Sequence, residues 1–320
     1  MGKRDPWLIM LIPYFGTWPP WINFFMASCR ANPDVVWRFY TDCGRPENLP
    51  DNVTIVDQSF ADYVAFAAAR LGMPLAAVEP YKLCDIKPAL GHIHEGDIEG
   101  FEFFGFGDID VIYGRISAFY PPRLRRRFDI FFTHATDVSG HFCLFRNKQA
   151  NREFFLHIPG FQKELALPRY HALDEQGLTS ALREAQWPST WLRPSWLGFR
   201  PRPRVEFKEQ YSTVLSMRGW IDGTLNYPAV WRWRNGSLTT DGSGEREFLY
   251  LHFMRWKSLR YVNDPMQPGE GAWLNLERLA TIDWRRAASE GFSISADGFG
   301  PFDRTPGKTA DVSESRSPSA

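Results

Sequence analysis

"WLIMLIPYFG", residues 7–16, decides the fold class. Its apolar run is about six residues long and ends in Pro13, too short for a signal-peptide core or a bilayer span, so it reads as a buried first strand. A helix follows in "PPWINFFMASCRANP", with Trp21, Phe24, Phe25 and Ser28 on one face and Pro19 and Pro20 at its start. "DVVWRFYTD" (34–42) and "VTIVDQSF" (53–60) read as strands separated by the loop "CGRPENLPDN". "ADYVAFAAARLG" is a helix closed by Gly72. A second helical stretch follows with "EPYKLCDIKPAL", and then the strand-like run "EFFGFGDIDVIYG" (102–114). This alternation predicts an α/β protein with a mostly parallel central sheet flanked by helices, whose ligands gather outside the carboxyl ends of the strands. "FDIFFTH" (128–134) and "SGHFCLFRN" (139–147) extend the strand count, and "DEQGLTSALREA" (174–185) is a helix.

Beyond about residue 190 the texture changes. "RPSWLGFRPRPR" is a connector into a β-rich section, where Asn235-Gly236 within "AVWRWRNGSLTT" (229–240) marks a two-residue hairpin turn and "REFLYLHFMRW" a final strand. The expected organisation is a nucleotide-sugar-binding core over 1–190, a β-rich section over 191–302 that completes the active site, and a disordered tail over 303–320. The 320 residues carry 37 Lys+Arg and 37 Asp+Glu, so no net field draws the chain to nucleic acid. Cys29, Cys43, Cys84 and Cys143 form no paired motif, which excludes a zinc knuckle or disulfide framework and fits a reducing cytoplasm. The 13 tryptophans suggest stacking surfaces for flat or sugar-like ligands as well as core.

Asp108 and Asp110 are charges in an oily run. In a strand they project to one face, where they repel unless a cation lies between them; Mg or Mn takes such hard oxygen ligands and can hold a diphosphate. Gly107 and Gly114 flank the pair and allow a backbone or ligand to approach closely. Alternation in "FLYLHF" puts Phe248, Tyr250 and His252 on one face, His252 being a competent third ligand with Arg255 and Lys257 just beyond it.

This combination resembles the GT-A class of nucleotide-sugar-dependent glycosyltransferases. More closely, "IPYFGTWPPW", "PYKLCDIKPALG", "FGDIDVIYG", "SGHFCLFRN", "LDEQ" and "LHFMRWK", in that order over residues 8–260, resemble a bacterial family of polysaccharide-biosynthesis glycosyltransferases carried as a domain of unknown function. The resemblance implies a GT-A-like fold and hexosyl transfer from a nucleoside-diphosphate sugar, UDP foremost. It also implies Mn2+ or Mg2+ held by Asp108, Asp110 and His252, a glycan or lipid-linked glycan acceptor, and action in the cytoplasm at the inner membrane face. Asp108 and Lys257 would face the donor's phosphates. His252 and Lys257 stand one residue closer than in the "HFxGxxKPW" motif of retaining GT-A enzymes, which leaves the phosphate role of Lys257 open.

Other residues carry two readings. Pro13, Tyr14 and Phe15 either line a uracil slot or simply end a strand, and Asp42 is a comparable strand-end candidate for the donor. Lys82 and Asp85 are a surface ion pair by spacing, or donor-binding residues by the resemblance. Ser139, Gly140 and His141 belong either to the acceptor side or to a buried strand. Asp174 is either an N-cap or the base that deprotonates the acceptor, two roles that can coexist. Arg123, Arg125, Arg126 and Arg127 form a solvated basic face or a peripheral contact with an anionic membrane or glycan. Two other functions compete: a metal-dependent nucleotidyl or phosphoryl transferase, for which the sequence lacks G-x-x-x-x-G-K-[ST], and a non-catalytic carbohydrate-binding protein, which leaves the Asp/Asp/His set unexplained.

Overall fold

Leu8–Pro13 is a strand, β1, buried along all but its last residue. In the computed structural model, which describes residues 5–186, 202–216, 218–242, 244–257 and 282–303, it lies within a seven-stranded sheet of order β3-β2-β1-β4-β7-β6-β8. β2 (Val35–Thr41), β3 (Val53–Asp57) and β4 (Phe103–Gly107) run parallel with β1, and only β7 (Phe142–Arg146) opposes its neighbours β4 and β6 (Ile130–Phe132). The mostly parallel α/β expectation holds, because strands covered on both faces can be apolar without interruption. The last strand, β8 (Val205–Phe207), comes from beyond residue 190.

Helix α1 (Ile22–Arg30) turns Phe24 and Phe25 into one side of the core. Helix α2 (Phe60–Leu71) covers the other side; Ser59 caps its start by accepting from the Asp62 amide, and Gly72 ends it at φ 62°, where a side chain would be strained.

The "FGDIDVIYG" run is not one strand. β4 stops at Gly107, and β5 (Val111–Tyr113) belongs to a separate two-stranded sheet with β11 (Tyr250–His252). Asp108, Ile109 and Asp110 form the crossing between the sheets, so the expectation that strand alternation aims the two carboxylates is corrected. The flanking glycines meet backbone rather than ligand: a Cβ on Gly107 would stand 2.8 Å from the His141 carbonyl, and one on Gly114 would overlap that of Phe248. The run "REFLYLHFMRW" is likewise a strand only over Tyr250–His252, and Met254–Lys257 turns into a short helix.

A four-stranded antiparallel sheet, order β10-β9-β12-β13, is built from β9 (Val230–Arg234), β10 (Ser237–Thr240), β12 (Phe292–Ser295) and β13 (Gly298–Pro301). Asn235 and Gly236 both have positive φ, 49° and 80°, as the two-residue hairpin turn requires. Phe292 and Phe299 pack onto Phe24 of α1, with the Phe24 and Phe299 rings 4.4 Å apart, and Trp231 and Trp233 join the same core. Trp7, Trp21, Trp37, Trp220, Trp231, Trp233 and Trp256 are all buried, so these tryptophans form core and offer no sugar-stacking surface. The four cysteines are free. Among the described residues no helix is long and apolar enough to cross a membrane. Most of the "RPSWLGFRPRPR" connector and the tail after 303 lie outside the described residues.

Candidate functional site

The pairing of β5 with β11 builds the site. Its antiparallel register sets Val111 opposite His252, which brings His252 from the C-terminal section against the Asp108–Asp110 crossing. Three contacts fix that crossing: the Asp108 amide donates to the His141 carbonyl (3.2 Å), the Trp21 indole to the Ile109 carbonyl (2.9 Å), and the Phe253 amide to the Asp110 carbonyl (3.1 Å). One ligand atom each from Asp108, Asp110 and His252 then lies within 4.8 Å of the others. Asp110 and His252 are buried, whereas the Asp108 side chain is 35% exposed and faces the opening.

His252 Nε2 is buried, makes no hydrogen bond, and stands 3.5 Å from Asp110 Oδ2. A buried imidazole nitrogen that faces a carboxylate without hydrogen-bonding it leaves room for a cation to join the two. Two oxygen donors and one imidazole therefore fit a divalent metal, and the nitrogen favours Mn2+ over Mg2+. Two lysines flank the set. Lys257 Nζ is 3.0 Å from Asp110 Oδ2; Lys87 Nζ is 2.5 Å from Asp108 Oδ1, 3.4 Å from Asp174 Oδ2 and 3.2 Å from the Gly140 carbonyl. Burial by itself would raise the Asp110 carboxyl, but the charges of Lys257 and His252 outweigh it and hold the carboxyl well below the usual carboxylate range. Burial likewise works against protonated Lys87, yet the nearby carboxyl groups, Asp108 first, outweigh it and raise the pKa. Lys87 was not singled out from the sequence; its signal is a lysine between the apolar residues Ile86 and Pro88.

Asp174 caps no helix. It sits within the wide turn Leu173–Gly177 that precedes the helix Leu178–Gln186, and Ala172 ahead of it has φ 56° and makes no side-chain cap bond. The Asp174 carboxyl is buried, receives the Tyr170 hydroxyl (3.0 Å), and is pushed up to about 7 by that burial against the pull of Lys87. Gly140 lets it sit there, since a Cβ at that position would come within 2.5 Å of Asp174 Oδ2. Gly140→Ala is accordingly expected to destabilise the fold by about 1–3 kcal/mol, the cost of overpacking, and to displace Asp174 from Lys87. Urea unfolding of the variant measures the first effect, and a wild-type midpoint would show that the turn yields freely.

Lys82 and Asp85 do pair, at 2.9 Å, but with no exposed surface. Lys82 also donates to the Glu164 and Arg169 carbonyls, while Asp85 accepts from the His171 and Leu173 amides. The surface reading is corrected, and neither side chain is open to a donor; the pair instead fastens the segment leading to Asp174. Ser139 is buried against Thr133, Gly140 faces Asp174, and His141 stacks behind His252, so the structure places none of the three at an open acceptor face. Burial first, and then the neighbouring His252, depresses the His141 pKa well below the usual histidine range.

At the carboxyl ends of β1 and β2, Tyr14 lies flat on Trp18, with ring centroids 5.3 Å apart, and Asp42 accepts from the Gly16 amide at 2.8 Å. Pro13 ends the β1 pairing opposite Tyr40. Phe15 packs into the core against Phe60 and Tyr63, which removes it from any base slot. Arg125 lies over the Trp7 ring, while Arg123, Arg126 and Arg127 are exposed.

Residues 10–275 match the model of a family of unknown function, DUF6625. The chain belongs to DUF6625. No curated protein matches it. Solved structures are similar to this DUF6625 chain only distantly. One is galactosyltransferase LgtC in complex with donor and acceptor sugar analogues: TM-score 0.33, 10% identity, covering 54% of this chain and 69% of that one. Another is glycosyltransferase GlyE of Streptococcus pneumoniae TIGR4: TM-score 0.30, 9% identity, 57% and 43%. A third is apo mouse xyloside xylosyltransferase 1: TM-score 0.27, 11% identity, 62% and 78%.

Proposed function

We propose that the protein is a metal-dependent GT-A-type glycosyltransferase that moves a hexose from a nucleoside-diphosphate sugar, a UDP-sugar foremost, to a glycan or lipid-linked glycan in bacterial surface-polysaccharide assembly. The observation that carries this reading is the convergence of Asp108, Asp110 and His252 Nε2, which makes no hydrogen bond, between two charged lysines. The ordered sequence motifs support it. A bound Mn2+ would supply charge neutralisation to a leaving diphosphate.

This chain's own residues do the rest. Lys257, about a third exposed beside Asp110, is placed to meet phosphate oxygens, and Tyr14 on Trp18 offers a flat edge for a base. Lys87 reaches from Asp108 to Asp174 and can orient sugar hydroxyls between them. In the transfer, the bond from the anomeric carbon to the diphosphate oxygen breaks with its electron pair leaving on the diphosphate. The acceptor oxygen bonds to that carbon, and its proton passes to the Asp174 carboxylate. The work would be done in the cytoplasm at the inner membrane face, where Arg123, Arg126 and Arg127 offer charge to anionic headgroups.

Calorimetric screening of UDP-, GDP- and CMP-sugars with and without Mn2+ tests the proposal. Metal-dependent binding of one nucleotide class is expected. Metal-independent binding of free sugars alone would instead identify a carbohydrate-binding protein.

A further inference from the structure

His252 is held weakly for a metal ligand. A ligating histidine ordinarily donates its second ring nitrogen to a firm acceptor, which sets the ring's angle. Here Nδ1 reaches only Thr213 Oγ1 at 3.4 Å, and that hydroxyl stands equally far from His141 Nε2. What does fix the ring is a flat contact: the His141 and His252 rings stack with centroids 3.9 Å apart and planes inclined by 23°, both buried.

His141 is in turn secured from behind. Tyr250 gives its hydroxyl proton to Thr133 Oγ1 (2.6 Å), so the 2.7 Å contact between Tyr250 and His141 Nε2 must use a proton on the imidazole. Thr133 then donates to Ser139 Oγ (2.6 Å), and Ser139 to the Phe142 carbonyl (3.3 Å). Every hydroxyl in the chain gives its one hydrogen onward, and Ser139 also receives the Thr133 amide. The direction of the chain fixes the His141 tautomer.

We propose that His141 is a positioning residue whose flat ring, packed face to face on His252, is the support that aims His252 Nε2 at Asp108 and Asp110. This inference rests on the metal reading of the site. It takes the "SGHF" motif off the acceptor face and makes it the backing of the metal site.

The test is Mn2+ affinity in the presence of UDP, read from the EPR signal of the free ion, for the wild type, His252→Ala, His141→Phe and His141→Leu. Both His141 variants fill the space, but only phenylalanine keeps a flat face. Expected are loss of binding in His252→Ala, a weakening of about tenfold or more in His141→Leu, the scale of an outer-shell loss, and an affinity within about threefold of wild type in His141→Phe. Thermal unfolding confirms that each variant folds. Wild-type affinity in both His141 variants would overturn the support role. Equal weakening in both would overturn it as well, since the imidazole itself would then be required. A wild type that binds no Mn2+, or a His252→Ala variant that binds normally, would overturn the metal reading and this inference with it.

Discussion

Asp110→Ala is expected to abolish Mn2+-dependent binding of UDP, and His252→Ala to do the same. Each removes one of the three donors that converge at the Asp108–Asp110 crossing. The crossing itself should survive, because its backbone bonds to His141, Trp21 and Phe253 involve neither carboxylate. Both side chains are buried, so circular dichroism and thermal unfolding belong with the calorimetry. Asp110→Asn is the informative companion: it keeps the shape and one acceptor for Lys257 but lacks the charge that draws a cation. UDP affinity that still depends on Mn2+ in both alanine variants would remove these residues from the metal assignment.

Asp174→Asn is expected to lower sugar transfer by roughly a hundredfold or more while leaving UDP affinity intact, as when a positioned proton acceptor is lost. The pH dependence gives a second handle. Burial raises the Asp174 carboxyl from 3.8 to about 7 in the folded protein. Between those values the native state holds a proton that the unfolded chain has released, so this group's stabilising contribution is full below pH 3.8 and is lost as pH rises through about 7. Transfer should rise across the same upper limit as the carboxylate forms. The Asn variant should therefore lose less stability than wild type between pH 5 and pH 8 in chemical denaturation. Near-normal turnover in Asp174→Asn would remove it as the base and leave it as the partner that holds Lys87 in place.

Periodicity made the outer frame legible, because a continuous apolar run such as β1 and the one-sided pattern of α1 each have one low-energy use. It failed wherever the backbone leaves a regular period. The segment Pro80–Ala89 is a tight helix of three residues per turn, so Lys82 and Asp85 share its inner side while Lys87 turns elsewhere. A spacing of three reads as a surface pair, and it gives no sign that the lysine two residues on lies beside Asp108 and Asp174. Strand alternation does not bring Asp108 and Asp110 together, since a crossing between sheets presents both carboxylates where a strand is expected. Ser139, Gly140 and His141 read as an acceptor side or a strand, but they precede β7 and lie buried, and no sequence pattern says which neighbour such a turn will back onto.

The pairing of β5 with β11 also has a consequence for biosynthesis. β1, β2, β3 and β4 all emerge from the ribosome early and can associate through parallel pairings completed within the first third of the chain. Asp108 and Asp110 emerge with them, but His252 follows only after the second half is being made. The nascent protein therefore passes through a period in which Asp108 has Lys87 as a neighbour, while Asp110 lacks both Lys257 and the imidazole. Closing β11 onto β5 is a long-range step of the kind that slows folding. Competence to hold a cation would thus arrive as one of the last events of chain maturation, a built-in mark separating finished molecules from those still folding.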